Sequence, residues 1–344
     1  MPLRKPARVD PIVNREYRTP TGWRRGHLQS IRSRVLPHPW RLDDVASSEP
    51  LLVELGDGSQ DRVSVILHHP FHPVPGRMLV LLIHGLGGSA ESNYVRASAR
   101  GLLSVGFPVA RMDLRGAGLS GDHSSGLYHA GRTDDVRRVI EDLVPWAHND
   151  VAAMGFSLGG NLVLKLAGES DKPGPLRAAV AVSAPLDLSV GADHLHGMMF
   201  GFYERFVMNG LREDTSRPGP ASGLTPQEAE VIRHARSIVE FDDAITAPRN
   251  GWQDAAEYYA VNSSGQFLPR IRIPTLVIHA LDDPMVPAQP YRDVDWDTIE
   301  SAGYVRRAIT AHGGHVGFHE RGRAYPWFVP QAVRFLTGPA TDQT

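Results

Sequence analysis

Two rhythms alternate along most of the chain. Met78-Leu-Val-Leu-Leu-Ile83 is an unbroken apolar run, the pattern of a strand buried on both faces. In Thr133-Asp-Asp-Val-Arg-Arg-Val-Ile-Glu-Asp-Leu143 the apolar residues Val136, Val139, Ile140 and Leu143 instead fall at i, i+3, i+4 and i+7. That spacing, with a capping residue in front and Pro145 behind, predicts an amphipathic helix. Short apolar runs return at Phe107–Met112, Val151–Met154, Ala178–Ser183, Pro274–His279 and Tyr304–Ile309, with helical stretches at 90–104 and after residue 157. Strands alternating with helices predict an α/β fold, a mostly parallel sheet covered on both faces. Leu51–Leu55 and Arg62–His68 read as two more strands, joined at the turn signal Gly56-Asp-Gly58 into an antiparallel hairpin at the N-terminal sheet edge.

The rhythm breaks once. Roughly ninety residues separate the strands near 183 and 274, far more than an α/β crossover needs. They hold the aromatic and Met-rich piece Met198-Met-Phe-Gly-Phe-Tyr-Glu-Arg-Phe206, then Pro- and Gly-rich chain at 216–223, then helical patterns near 225–238 and 252–260. This predicts a helical cap inserted over one end of the sheet. The expected division is an N-terminal extension over 1–48, a core over 49–187 and 266–344, and a cap over 188–265. The 198–206 stretch fits either the cap's own core or the lining of a substrate pocket over that end of the sheet, with Phe202 and Phe206 as the expected lining residues.

Composition narrows the function. With 344 residues, 42% hydrophobic and 22% charged, the chain is ordinary for a globular protein and needs no disulfide or metal staple. A net charge of −2 without basic blocks argues against a nucleic-acid partner. The absence of cysteine excludes a disulfide framework, a thiol nucleophile and a thiolate metal site. No apolar run approaches the roughly 18 residues of a bilayer span, and the opening MPLRKPARVDPIVNREYRTP lacks the apolar stretch of a secretory signal. The expectation is a cytoplasmic protein without a transmembrane segment, at most resting on a membrane surface. His68-His-Pro-Phe-His72 and His194-Leu-His196 resemble metal-ligand spacings, but no third ligand falls in register, so no metal is expected.

Val151-Ala-Ala-Met-Gly-Phe-Ser-Leu-Gly-Gly-Asn161 carries the candidate chemistry. A G-x-S-x-G pattern can arise by chance in a chain with 34 glycines. Here, however, a buried strand leads into it, and Leu158, Leu162, Val163 and Leu166 give the following stretch a helical apolar side. A sharp strand-to-helix turn exposes a serine hydroxyl at a helix N-terminus, where developing negative charge is favoured. Ser157 is therefore the expected nucleophile. An oxyanion hole would use the N–H of Leu158 and a donor from an earlier strand's loop. His84-Gly-Leu-Gly-Gly88 follows such a strand, and Leu86 is the expected donor. Downstream, in the order acid then histidine, Ala280-Leu-Asp-Asp-Pro284 offers Asp282 and Asp283, and Thr310-Ala-His-Gly-Gly-His315 offers His312 and His315. The apolar residues after His315 can fix its ring, which favours it over His312. Asp187 is an alternative acid, better read as a helix cap, and Arg115-Gly-Ala-Gly118 reads as a structural turn.

These motifs together resemble the YheT-like family of α/β-hydrolases, related to membrane-associated mammalian hydrolases. The resemblance is carried by Gly26-His-Leu-Gln-Ser-Ile31, His84–Gly88, Asp113–Ser120, Gly155–Gly160, Phe241-Asp-Asp243 with Tyr258-Tyr259, Asp282-Asp-Pro284 and Gly313–Phe318. It implies an α/β-hydrolase fold, a Ser157–Asp283–His315 triad, no cofactor, and activity on small-molecule esters of acyl chains. Acyl transfer to an alcohol at the same site stays open, and a non-catalytic binder on the same fold is the alternative of another class. Pro284 biases Asp283 toward extended backbone, which suits an orienting acid. Asp282 is then expected to bond local backbone N–H groups and hold the turn.

Overall fold

A computed structural model describes residues 17–35, 40–147, 150–169 and 174–338. Residues 1–16 and 36–39 of the expected extension, and 339–344 of the expected core, lie outside the described residues. The strands are β1 (Ala46–Glu54), β2 (Arg62–Pro70), β3 (Leu79–Ile83), β4 (Val109–Met112), β5 (Val151–Phe156), β6 (Leu176–Val182), β7 (Thr275–Ala280) and β8 (Val305–Thr310). They form one sheet in the order β1-β2-β4-β3-β5-β6-β7-β8. The β1–β2 and β2–β4 pairs are antiparallel and all others parallel, so the antiparallel edge stands where the hairpin signal puts it. β1 starts at Ala46, earlier than its apolar run and inside the expected extension. Pro50 is tolerated there because β1 is an edge strand.

The helices of eight residues or more are α1 (Gly26–Val35), α2 (Asn93–Leu103), α3 (Thr133–Ala147), α4 (Leu158–Glu169), α5 (Leu188–Gly197), α6 (Phe202–Thr215), α7 (Pro226–His234), α8 (Ala255–Asn262) and α9 (Phe328–Thr337). α3 does not stop before Pro145 but carries it in its last turn. One missing N–H near a helix end forfeits a single intrahelical bond, so the helix continues.

Side-chain alternation splits the core into two layers. Leu79, Leu81 and Ile83 face the layer containing Val139 of α3 and Leu162 of α4. Val80 and Leu82 face the layer containing Leu102 of α2 and Phe328 of α9. All five β3 side chains are fully buried, and burying each stabilises the fold by about 1.5–3 kcal/mol. Between β6 and β7 the chain leaves the sheet and forms α5 to α8, with a separate apolar cluster that includes Val207, Met208, Leu211 and Phe241.

Register places the site. Ile83 pairs with Gly155, Phe156 with Val182, and Ala280 with Thr310. The loops after β3, β5, β7 and β8 therefore emerge together at the carboxyl ends of the parallel strands, where α/β sheets bind ligands.

Candidate active site

Ser157 occupies the single residue between β5 and α4 at φ 53°, left-handed backbone that a non-glycine residue adopts only under constraint. Its N–H donates to Val182 O at 2.9 Å and its carbonyl accepts from Asn161 N–H at 3.0 Å. The turn is so tight that a Cβ at Gly155 would meet Gly159 O at 2.0 Å, and one at Gly159 would meet His84 O at 2.4 Å. Only glycine fits at either position.

Asp283 follows β7 and is buried. Its Oδ1 accepts from the N–H groups of Met285 (2.8 Å) and Val286 (3.0 Å), and its Oδ2 lies 2.9 Å from His315 Nδ1. Burial alone would raise this carboxyl, but His315 and the backbone donors outweigh it and hold it below the usual carboxylate range. An ionised Asp283 takes the Nδ1 proton of His315 as its hydrogen bond, which leaves Nε2 as the free ring nitrogen. Asp282 departs from the turn-holding role expected of it. Its Oδ1 accepts from Gly314 N–H at 3.0 Å and its Oδ2 pairs with His312 Nδ1 at 3.1 Å, while Asp283 makes the local turn bonds. Adjacent side chains in extended chain diverge, so each aspartate meets a different histidine.

The loop after β3 lies directly on the serine, since a Cβ at Gly85 would approach Ser157 Cβ at 2.8 Å. His84 is buried, and burial keeps its imidazole below the ordinary histidine value. Its Nε2 accepts from Leu114 N–H at 3.0 Å, so its Nδ1 donates to Gly85 O at 2.7 Å. Gly88 N–H donates to the same Gly85 carbonyl at 3.1 Å. A trans peptide points its C=O and N–H in opposite directions, so fixing Gly85 O turns Leu86 N–H the other way. Among the described residues, neither Leu86 N–H nor Leu158 N–H, the first of α4, has a partner.

A cavity of about 410 Å³ opens above these groups, lined by Ser157, Leu86 and His315 from the loops, by Leu158 at the start of α4, and by Phe202 and Phe206 from α6. Phe202 is half exposed at the rim, and Phe206 is partly buried against the α6–α7 cluster. No hydrogen bond joins Ser157 Oγ to His315. Such bonds are often long without substrate and tighten on binding. Asp187 caps α5, accepting from Val190 N–H at 3.0 Å. Arg115 is buried and pairs with the buried Asp61 and Asp135 and with the exposed Asp57. His68 accepts from Arg111 Nε at 3.0 Å, and His196 pairs with Glu204 at 2.9 Å. Among the described residues no helix is long and apolar enough to cross a membrane.

The expected extension adds residues that the pattern of the chain did not single out as functional. α1 lays Ser30 and Ile31 on the cavity wall. Its buried Gln29 accepts from His319 N–H at 2.7 Å and donates to Trp23 O at 2.6 Å. His27 Nδ1 lies 2.8 Å from Tyr203 Oη of α6. Gly26-His-Leu-Gln-Ser-Ile31 carries family resemblance, but nothing in its polarity announces that it meets the histidine loop.

A family model for the alpha/beta hydrolase fold matches residues 79–322. The chain belongs to the α/β-hydrolase family. This hydrolase is 34% identical over 241 residues to YheT of Escherichia coli K12, covering 70% of each chain. It is 30% identical to a monoacylglycerol lipase of Saccharomyces cerevisiae over 75% of this chain, a match spanning 58% of the yeast protein and so less than two-thirds of it. The Pyrococcus furiosus esterase Pf2001 superposes at TM-score 0.57 over 88% of this chain and 95% of that one, a likeness of fold at 15% identity. Within the family the chain stands with the carboxylic ester hydrolases of the YheT-like branch.

Proposed function

We propose that this hydrolase cleaves carboxylic esters of acyl chains through a Ser157–His315–Asp283 triad and an acyl-enzyme intermediate. Ser157 Oγ attacks the ester carbonyl while His315 Nε2 takes its proton. The oxyanion is held by the N–H groups of Leu86 and Leu158, the second aided by the positive end of α4. Collapse expels the alcohol, which takes the proton from His315. Water then enters, gives a proton to His315, and its oxygen attacks the acyl carbonyl; collapse expels Ser157 Oγ, which takes that proton back from His315, and releases the carboxylic acid. Asp283 stays ionised throughout and stabilises the imidazolium. Side chains and backbone supply every step without a cofactor.

The observation that carries this reading is the pairing of Asp283 with His315 Nδ1, on the wall of a cavity that also contains Ser157 and two unpartnered N–H groups. The cap is proposed as residues 188–265, with Phe202 and Phe206 facing the acyl chain. The mostly apolar wall and the likeness to the yeast monoacylglycerol lipase both support an acyl ester as the small-molecule substrate. The test is fluorophosphonate labelling with identification of the modified residue, followed by turnover of p-nitrophenyl esters of increasing chain length. Ser157→Ala should keep its melting temperature, lose labelling and lose nearly all turnover. Labelling that persists at another serine overturns the assignment, and ester formation exceeding hydrolysis when an alcohol is added redirects it to acyl transfer.

A further inference from the structure

The backbone of the loop after β3 is held at almost every donor. Gly85 N–H donates to Tyr94 Oη at 3.1 Å, Ser89 N–H to Ser92 Oγ at 3.0 Å, and Gly88 N–H to Gly85 O at 3.1 Å. Leu86 N–H has no partner among the described residues. The peptide before Leu86 is fixed by His84, a core residue. The peptide after it is fixed differently. Gly87 N–H donates to Tyr128 Oη at 2.8 Å, and Tyr128 O–H donates in turn to Asp214 Oδ2 at 2.8 Å. Asp214 sits in the last turn of α6, outside the sheet domain altogether.

A second contact joins the same two segments. Gly210, one turn before Asp214, rests on Gly87 so closely that a Cβ on Gly210 would lie 2.9 Å from Gly87 Cα, and one on Gly87 would lie 3.2 Å from Gly210 Cα. α6 also supplies Phe206, Val207 and Leu211 to the cavity wall. One rigid helix thus touches the acyl cavity and the oxyanion loop together.

We infer that Tyr128 and Asp214 are positioning residues through which α6 sets the aim of Leu86 N–H, so that the helix lining the acyl cavity also adjusts the oxyanion hole. The inference rests on the reading of Leu86 as an oxyanion donor. Packing alone does not call for this chain of polar groups. Tyr128 is buried between His84 (ring centroids 6.0 Å apart) and α6, where a phenyl ring would fill the same space. Burial pushes the Asp214 carboxyl up to about 7 against the pull of Tyr128 and Arg217, so holding it there is costly. Replacing a whole buried polar pair by apolar groups is often neutral for stability, whereas removing one member leaves its partner unsatisfied. What the phenol adds is direction, a lone pair fixed where Gly87 N–H must point.

The test compares Tyr128→Phe, Asp214→Asn and Gly210→Ala with the unaltered protein, using kcat, KM, melting temperature, and inhibition by an alkyl trifluoromethyl ketone, which forms a tetrahedral adduct on a nucleophilic serine. Losing an oxyanion donor outright costs about 10²–10³ in kcat, so loosening one should cost about tenfold or more. Tyr128→Phe should lower kcat by that factor with KM within about twofold, and weaken the ketone in parallel. Asp214→Asn keeps an acceptor for the Tyr128 hydroxyl and should lose less. Gly210→Ala improves helix propensity yet drives α6 against Gly87, so kcat should fall whether or not Tyr128→Phe folds. If Tyr128→Phe and Gly210→Ala keep kcat and ketone affinity within about twofold while only melting temperature moves, the pair is structural and the inference fails. Failure of the parent reading is separate: a fluorophosphonate would then leave Ser157 of the unaltered protein unlabelled.

Discussion

Ser30 Oγ accepts a hydrogen bond from the backbone N–H of His315 at 2.8 Å, across 285 residues of sequence. Its own proton goes to Gly26 O at 2.8 Å, one turn back in α1, so the lone pair facing His315 has a fixed direction. Ser30→Ala would leave a buried N–H unpaired, which costs about 1–3 kcal/mol locally, and would free the loop that aims the imidazole. Misplacing a catalytic group by about 1 Å can cost 10²-fold. The expected outcome is a kcat roughly tenfold lower, with KM nearly unchanged and slower fluorophosphonate labelling, since that reaction also uses His315 as base. Ser30→Thr, which keeps the hydroxyl, should recover most of the loss. Normal labelling by the alanine variant would reduce α1 to a structural support.

The two aspartates after β7 can be told apart by the same assay. Asp283 meets His315 and is buried; Asp282 meets His312 and Gly314. Losing a triad carboxylate while keeping its shape costs about 10⁴ in turnover, and Asp283→Asn should lose on that order with its fold intact. Asp282→Asn weakens the tie between the loops after β7 and β8, so its effect should fall on melting temperature and less on kcat. The reverse pattern would move the acid to Asp282.

What the sequence made legible follows the range of the interactions concerned. The Ser157 turn is a local object: strand, glycine, serine, glycine and helix stand within about a dozen residues, and each constrains its neighbours sterically. Leu86 and the acid and histidine loops follow from strand ends, which apolar runs mark well. The contacts that aim these groups are long-range and carried by backbone or by isolated polar side chains. Ser30 reaches His315, Gln29 reaches His319, and Tyr128 reaches both Gly87 and Asp214. No periodicity marks such residues, because a helix facing a loop needs shape and one or two polar atoms, not an apolar stripe. For the same reason α1 reads as featureless chain, and Asp282 takes a partner thirty residues away in place of its own turn.

Phe206 offers a test of the cavity wall. It lines the cavity and packs only partly against the cluster of Val207, Met208 and Leu211. A fully buried Phe→Ala change costs about 3–5 kcal/mol, and a half-buried wall residue should cost well under that. Phe206→Ala should therefore shift the preferred p-nitrophenyl ester toward longer or bulkier acyl chains, with a modest fall in melting temperature. Equal loss at every chain length, with a large stability drop, would make Phe206 part of the core.

Asp242 gives the stability of the cap a pH dependence of defined sign. It opens the π-turn Asp242–Thr246 and is buried on the cavity wall, with Thr246 Oγ1 donating to its Oδ1 at 2.7 Å and Tyr259 Oη to its Oδ2 at 2.8 Å. Burial outweighs those bonds and pushes the carboxyl up to about 6. An unfolded aspartate titrates near 3.9, so between about pH 4 and 6 the folded chain binds more protons than the unfolded one. Stability from this group is therefore greatest below that window and falls as pH rises through it. A rise of about two units corresponds to up to about 3 kcal/mol. Asp242→Asn cannot ionise. It gives up one carboxylate acceptor, so at pH 5 it should melt below the unaltered protein. By pH 8, where the native carboxylate carries its full desolvation cost, the difference should shrink or reverse. Thermal melts of both proteins at the two pH values decide the matter: a difference in melting temperature that does not change with pH would mean that Asp242 does not titrate between them, and would overturn this expectation.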